Sequence, residues 1–186
     1  MLLINRLDPN LQEENNYKSI VAAVDFDPND VDPGKQALNQ QILGLAASLA
    51  LSDFAALHLV HVWDVPEAKL VRLWADDPDT AEANMINGER TRHKTGMDAL
   101  IRMLREQIGT EAYKYLSPQV HFSMGSAHKV IPALVKEIKA NIVVMGTVAR
   151  TGIPGFIIGN TAEAIFDQLQ CSVLAAKPPE FVSPVM

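Results

Sequence analysis

The residues best suited to chemistry lie in one stretch, Ile142-Val-Val-Met-Gly146-Thr-Val-Ala149-Arg150-Thr-Gly152-Ile-Pro-Gly155-Phe-Ile-Ile-Gly159-Asn160-Thr161-Ala-Glu163. A buried strand ending at Gly146 leads into a glycine-bearing loop, and Gly159 leads into an amphipathic helix. Asn160 and Glu163 have the spacing of a capping box at the helix start. A helix N-terminus approached by small residues is an anion site, because its unpaired backbone N–H groups and its dipole converge on one place. Arg150 adds a positive charge, and Thr161 a hydroxyl, beside that place. The chemistry implied is recognition of a phosphate-bearing ligand.

A second candidate is the run Ile20-Val-Ala-Ala-Val-Asp25-Phe-Asp27-Pro-Asn29-Asp30-Val-Asp32. It is a poor calcium loop, since Asp30 stands where the turn glycine belongs and Gln36 where the bidentate glutamate belongs. It is also a poor phosphatase centre, since no later Gly-Asp pair is present to hold magnesium. A carboxylate at a strand end can instead accept from ribose hydroxyls or an adenine amine, which suits Asp25, with Ala23 on the same strand face. No P-loop, no nucleophile elbow and no metal-ligand spacing of His, Cys and Asp occurs. No residue is assigned a catalytic role, and no general base is visible near the glycine loop.

The elements that must position these residues alternate. Ser19–Phe26, Ala56–Val62, Gln119–Met124, Ile142–Gly146 and Ser172–Ala176 are short and rich in Val, Ile, Leu and Ala. Between them Leu38/Ile42/Leu45/Leu49, Met97/Leu100/Ile101/Leu104/Ile108, Ile131/Leu134/Val135/Ile138 and Ile165/Phe166/Leu169 each form one apolar helical stripe. This order predicts a three-layer α/β/α sandwich, Rossmann-like, with a five-stranded, mainly parallel sheet whose ligand crevice lies at the strands' carboxyl ends. Pro132 predicts a late start for the third helix, near Val130. Residues 64–88 are expected to be partly helical and partly a lid, with Trp63 and Trp74 as packing residues.

The pattern G-x2-G-x9-G-(S/T) of nucleotide-binding universal stress proteins resembles the glycine stretch, with Gly146 and Gly159 at its ends. Ala149 replaces its second glycine, and Asn160 its hydroxyl residue. The opening strand ending in Asp25 is similar to that family's adenosine-contacting strand. Leu57-His58-Leu59-Val60-His61-Val62 is similar to its second strand, which places Val62 at the adenine and leaves His61 as a packing or hydrogen-bonding residue. Gly125-Ser126-Ala127-His128 matches the loop before the third helix, with Ser126 as its cap. The variant Gly-Thr-Val-x-Arg-Thr-Gly with Gly-Asn-Thr-Ala-Glu resembles the second half of tandem, E-type members. The resemblance implies a stress-response regulator that binds ATP or AMP, with or without Mg. Ala23, Asp25 and Val62 would surround the adenosine, and Gly146, Ala149, Arg150, Gly159, Asn160 and Thr161 the phosphates. It also implies a homodimer through the last strand, Cys171–Lys177. The competing expectation is a dimerising interaction module of the same fold without nucleotide, taking an apolar ligand.

The bulk properties agree with this reading. At 186 residues, 48% hydrophobic and 20% charged, the chain suits one globular domain that needs no disulfide or metal staple. Residues 1–16 read as a tail or linker remnant, 17–178 as the domain, and 179–186 as a C-terminal tail. A net charge of -6 without a basic cluster argues against nucleic acid. No apolar run is long enough to span a bilayer, and the N-terminus lacks the pattern of an export signal. The single cysteine, Cys171, reads as a small packing residue in a reducing, cytoplasmic setting.

Overall fold

The computed structural model describes residues 2–4, 17–29, 32–147 and 159–177. The elements run β1 (Leu2–Ile4), β2 (Ser19–Ala23), α1 (Pro33–Asp53), β3 (Ala56–Trp63), α2 (Ala68–Val71), α3 (Pro78–Ile108), α4 (Thr110–Leu116), β4 (Gln119–Met124), α5 (Ala127–Glu137), β5 (Ile142–Gly146), α6 (Asn160–Phe166) and β6 (Ser172–Ala176). The sheet order is β1-β6-β5-β2-β3-β4. The five expected strands are all present and mutually parallel. The sixth, β1, is antiparallel to β6 with Leu3 opposite Leu174. Leu2–Ile4 is therefore part of the sheet rather than of a tail, and it lies on the edge expected to pair with a second copy.

Both faces of the sheet are buried, which is why its strands read as continuous apolar runs. Ile20, Ala22 and Val24 face α1 and α3 through Ile42, Leu43, Ala46, Met97 and Leu104. Val21 and Ala23 face the other layer, Ile131 and Val135 of α5 and Ala162 and Ile165 of α6. Cys171 packs half-buried against this second cluster. Burial raises its thiol pKa to about 11, so it stays a protonated packing group.

One helix differs from the sequence expectation, and the long connection is partly helical as expected. α5 begins at Ala127 and runs through Pro132. Proline has no N–H for the carbonyl four residues earlier, that of His128. Gln168 Nε2 donates to that carbonyl at 2.9 Å and supplies the missing bond from outside the helix. α3 starts at Pro78, so much of the long connection is helix, with Asp77 accepting from Thr80 N–H at its N-cap. Trp63 packs as expected, at 5% exposure, but Trp74 stands 86% exposed.

Histidines knit β3 to its neighbours. His61 Nδ1 lies 3.2 Å from the Val24 carbonyl, which can only accept, so Nδ1 carries the proton. Its Nε2 then accepts from His93 Nδ1 of α3 at 2.9 Å. Phe26 stacks on His61 with ring centres 4.0 Å apart, and a side chain at Gly96 would collide with that Phe26 ring. His58 and His121 share a 2.9 Å bond between β3 and β4. Burial lowers the pKa of all four, His61 to about 4.

The fold therefore favours neutral imidazoles. Below pH about 6.5 the unfolded chain takes up protons at His61 that the native protein refuses, so stability is complete above that pH and falls towards pH 4. Urea unfolding should show a loss of about 2 kcal/mol between pH 7 and 5 from His61 alone. The loss should shrink in His61→Phe; a variant with the same pH slope as the wild type would remove His61 as its source.

Candidate functional site

The connection after β2 leads to β3 on one side, whereas β5 lies on the other, so the chains diverge between the carboxyl ends of β2 and β5. In an open parallel sheet that divergence leaves a crevice. Here it is a cavity of about 550 Å³, within the range of small-molecule sites. Seven of the nine residues assigned from sequence line it together: Ala23, Asp25, Val62, Gly146, Gly159, Asn160 and Thr161. The other two, Ala149 and Arg150, lie outside the described residues.

The adenosine-side wall is the end of β2. After Val24 donates to Val60 O at 3.0 Å the strand leaves the ladder, and side chains take over. Asn39 of α1, 2% exposed, accepts from Asp25 N–H at 3.2 Å and donates to Asp25 C=O at 2.8 Å. His61 holds the preceding carbonyl. Asp25 thus presents an exposed carboxylate on a backbone fixed from two sides. Asn39 was missed because one asparagine in a helical stripe carries no local signal; only the strand end opposite it reveals its role.

The opposite wall is made of helix starts. Among the four helices covering the sheet, α1 and α3 are capped by their own acids, Asp32 on Gly34 N–H at 2.8 Å and Asp77 on Thr80 N–H at 3.3 Å. α5 and α6 have no side-chain cap, and both begin at the cavity. Ser126 does occupy the N-cap of α5, but its hydroxyl bonds His128 Nδ1 at 2.7 Å instead. The capping box expected of Asn160 and Glu163 does not form, because Gly159 is the N-cap and Asn160 already the first helical residue. Asn160 and Thr161 are both exposed at this helix start. Gly159 N–H donates to Thr147 C=O at 3.0 Å, joining the start of α6 to the end of β5.

Lys35, Asp64 and His128 also line the cavity and were not singled out from sequence for that role. A second hollow of about 530 Å³ adjoins it, sharing Asp25, Lys35, Val62 and Asp64, and is bounded further by Asp27, Glu67, Glu89 and His93. The residues present fit an adenine nucleotide: a carboxylate for sugar or base at one side, unpaired backbone donors for phosphate at the other. Among the described residues no group of three His, Cys, Asp or Glu side chains is arranged to hold a metal ion. A magnesium ion would thus depend on the phosphates for most of its ligands.

A doubly wound parallel sheet with a crevice at its switch point defines a Rossmann-like α/β protein. The model of the universal stress protein family matches residues 16–177, so the chain belongs to that family. Universal stress protein E of Escherichia coli (strain K12) is 33% identical over 156 residues, 83% of this chain and 45% of the relative. The structure of PA1789 from Pseudomonas aeruginosa PAO1 superposes with a TM-score of 0.62 at 28% identity, covering 95% of this chain and 51% of that one. The chain thus spans about half the length of these relatives. A universal stress protein from Archaeoglobus fulgidus, solved in complex with dAMP, shares the fold with a TM-score of 0.51 at 18% identity, covering 87% of this chain and 98% of that one. No helix among the described residues is long and apolar enough to cross a membrane.

Asn39→Ala removes both bonds to the Asp25 backbone and leaves a part-buried N–H and C=O without their partner. It should cost about 2 kcal/mol in urea unfolding and accelerate amide exchange at Asp25. Unchanged exchange at that amide would show that Asn39 does not hold the strand end in solution.

Proposed function

We propose that the chain binds an adenine nucleotide, ATP or AMP, non-covalently in the cavity between β2 and β5, and that this binding serves a regulatory role in a stress response. The observation that carries the reading is the pair of helix starts, α5 and α6, left without side-chain caps at one cavity. Of the other helices, the long α1 and α3 are capped by their own acids, and the short α2 and α4, which like α5 and α6 lack a side-chain cap, begin away from the cavity. Donors left open at a shared hollow suit an anionic ligand. Asp25 on the facing wall suits the adenosine end, and the relative solved with dAMP supports that ligand class.

The roles follow from placement. Ala23 and Val62 offer apolar contact to the base, Asp25 accepts from the ribose, and Asn160 and Thr161 donate to phosphate oxygens, with Gly159 leaving room for their approach. Ala149 and Arg150 belong to the same loop and are assigned to the phosphates with them. The protein is proposed as a binding protein rather than an enzyme.

One observation favours a second reading, an interaction module of the same fold. Leu70, Leu73 and Trp74 stand 58%, 71% and 86% exposed around α2, an unusual display of large apolar side chains. Thermal unfolding with ATP, AMP and adenosine separates the two. A ligand at one hundred times its dissociation constant should raise the melting temperature by about 5 to 10 °C. Gly159→Val should abolish the shift while leaving the ligand-free melt near wild type, since Gly159 has a φ of -65° that valine can adopt. No shift with any of the three ligands would leave the interaction module standing.

A further inference from the structure

We propose that the helical turn from Leu70 to Trp74 is a docking surface for a partner protein's segment, apolar on one face and basic at its rim. α3 has 31 residues and is about 46 Å long, whereas β3, with 8 residues, spans about 26 Å. The buried residues of α3, Met97, Leu100 and Leu104, all lie in its second half. Its first half therefore rises beyond the carboxyl end of the sheet. There α2 leans on it through buried Ala68, in a small cluster with Trp63, Val65, Met85 and Ile86.

Leu70, Leu73 and Trp74 are spaced i, i+3 and i+4. Leu73 N–H donates to Leu70 C=O at 3.0 Å and Trp74 N–H to Val71 C=O at 3.2 Å, so the three side chains share one side of a helical turn. That side is the exposed one, and none of the three belongs to the cluster around Ala68. Arg72 ties the turn to α3 through Asp79 at 2.7 Å and Glu82 at 2.5 Å. The patch is thus presented on a backbone already ordered, which lowers the entropy lost when a partner binds.

The charge around the patch selects the occupant. Residues 64–82 hold Asp64, Glu67, Asp76, Asp77, Asp79 and Glu82 against Lys69 and Arg72, a net charge of -4 within the chain's -6. Such a rim repels nucleic acid and anionic lipid and attracts Lys and Arg. Large apolar side chains inside a polar rim have the form of an interaction site, and Trp is among the residues that carry most of the binding energy in one. The arrangement that matches is a basic amphipathic helix. None of Leu70, Leu73 and Trp74 lines the cavity between β2 and β5, so the surface operates with or without a nucleotide.

Fluorescence anisotropy of a labelled leucine–lysine amphipathic peptide, about five helical turns long, tests this. A leucine–glutamate peptide is its counterpart, and circular dichroism verifies the fold of each variant. The lysine peptide should bind the whole chain, less tightly as salt rises from about 0.05 to 0.5 M, and the glutamate peptide should not bind. Leu73→Ser and Trp74→Ser should each weaken binding at least about tenfold. Glu67→Gln combined with Asp76→Asn should weaken it less and flatten the salt dependence. Failure of the lysine peptide to bind, equal binding of the two peptides, or serine variants that bind as well as the wild type would each overturn the proposal. So would flotation of the chain with phosphatidylglycerol vesicles that Trp74→Ser abolishes, which would assign the patch to a lipid surface.

Discussion

β2 is bonded to β3 on one side and β5 on the other, and the chain leaves it towards β3. That arrangement constrains everything built at the carboxyl end of the sheet. Helix α1 must leave on one face, α6 must enter on the other, and among the described residues no connection crosses the gap between them. The gap would be a stability cost if its polar groups were left to themselves. The protein instead secures the strand end with side chains from both neighbours, Asn39 from the helix layer and His61 from within the sheet. Phe26 stacked on His61, and Gly96 giving that ring its room, extend the same brace into α3.

The brace also explains how hydrogen-bond capacity is distributed. Asn39 uses both its amide functions on one residue's backbone, so Asp25 need not use its carboxylate to hold itself. Ser126 directs its hydroxyl to His128 rather than to the helix it begins, and Gly159 has no side chain to spend. At the opposite end of the sheet the policy is reversed. Asn141 accepts from both Lys18 and Ser19 N–H, at 2.8 and 2.9 Å, and Asp53 accepts from Tyr17 N–H at 2.8 Å. One end of the sheet is closed by its own polar groups, and the other keeps some in reserve.

Much of this was legible before any coordinates. β4, β5 and β6 occur at the residues their composition marks, because Val-, Ile- and Ala-rich runs bounded by turn formers have few alternatives when both faces are buried. β2 stops at Ala23, short of the expected Phe26, because the Asp25 amide bonds a helix side chain, a contact 14 residues away that no local pattern records. Leu2–Ile4 was invisible as a strand, since three apolar residues cannot show a period. Pro132 was misjudged for a similar reason: the bond that rescues its helix comes from Gln168, a residue that has no significance until α6 is packed against α5. Asp25, Val62, Gly159, Asn160 and Thr161 were found from sequence because strand ends and helix starts are where an α/β fold must place a ligand.

The two terminal glycines of the loop signature carry different weight. Gly146 is accounted for by packing, since a Cβ there would stand 2.9 Å from Leu38 Cδ2 and would oblige that side chain to shift between α1 and β5. A glycine at that position speaks for the architecture whether or not anything is bound. Gly159 has no such reason in its backbone: with φ -65° and ψ 143° it is in a conformation open to every residue, and serine, threonine, asparagine or aspartate would make the better cap. A residue that forgoes a helix cap, next to an asparagine that does not replace it, accepts a stability cost that its backbone conformation does not require. Approach of a ligand to the backbone would supply the reason, and for that the proposed nucleotide reading depends more on Gly159 than on any other residue of the loop.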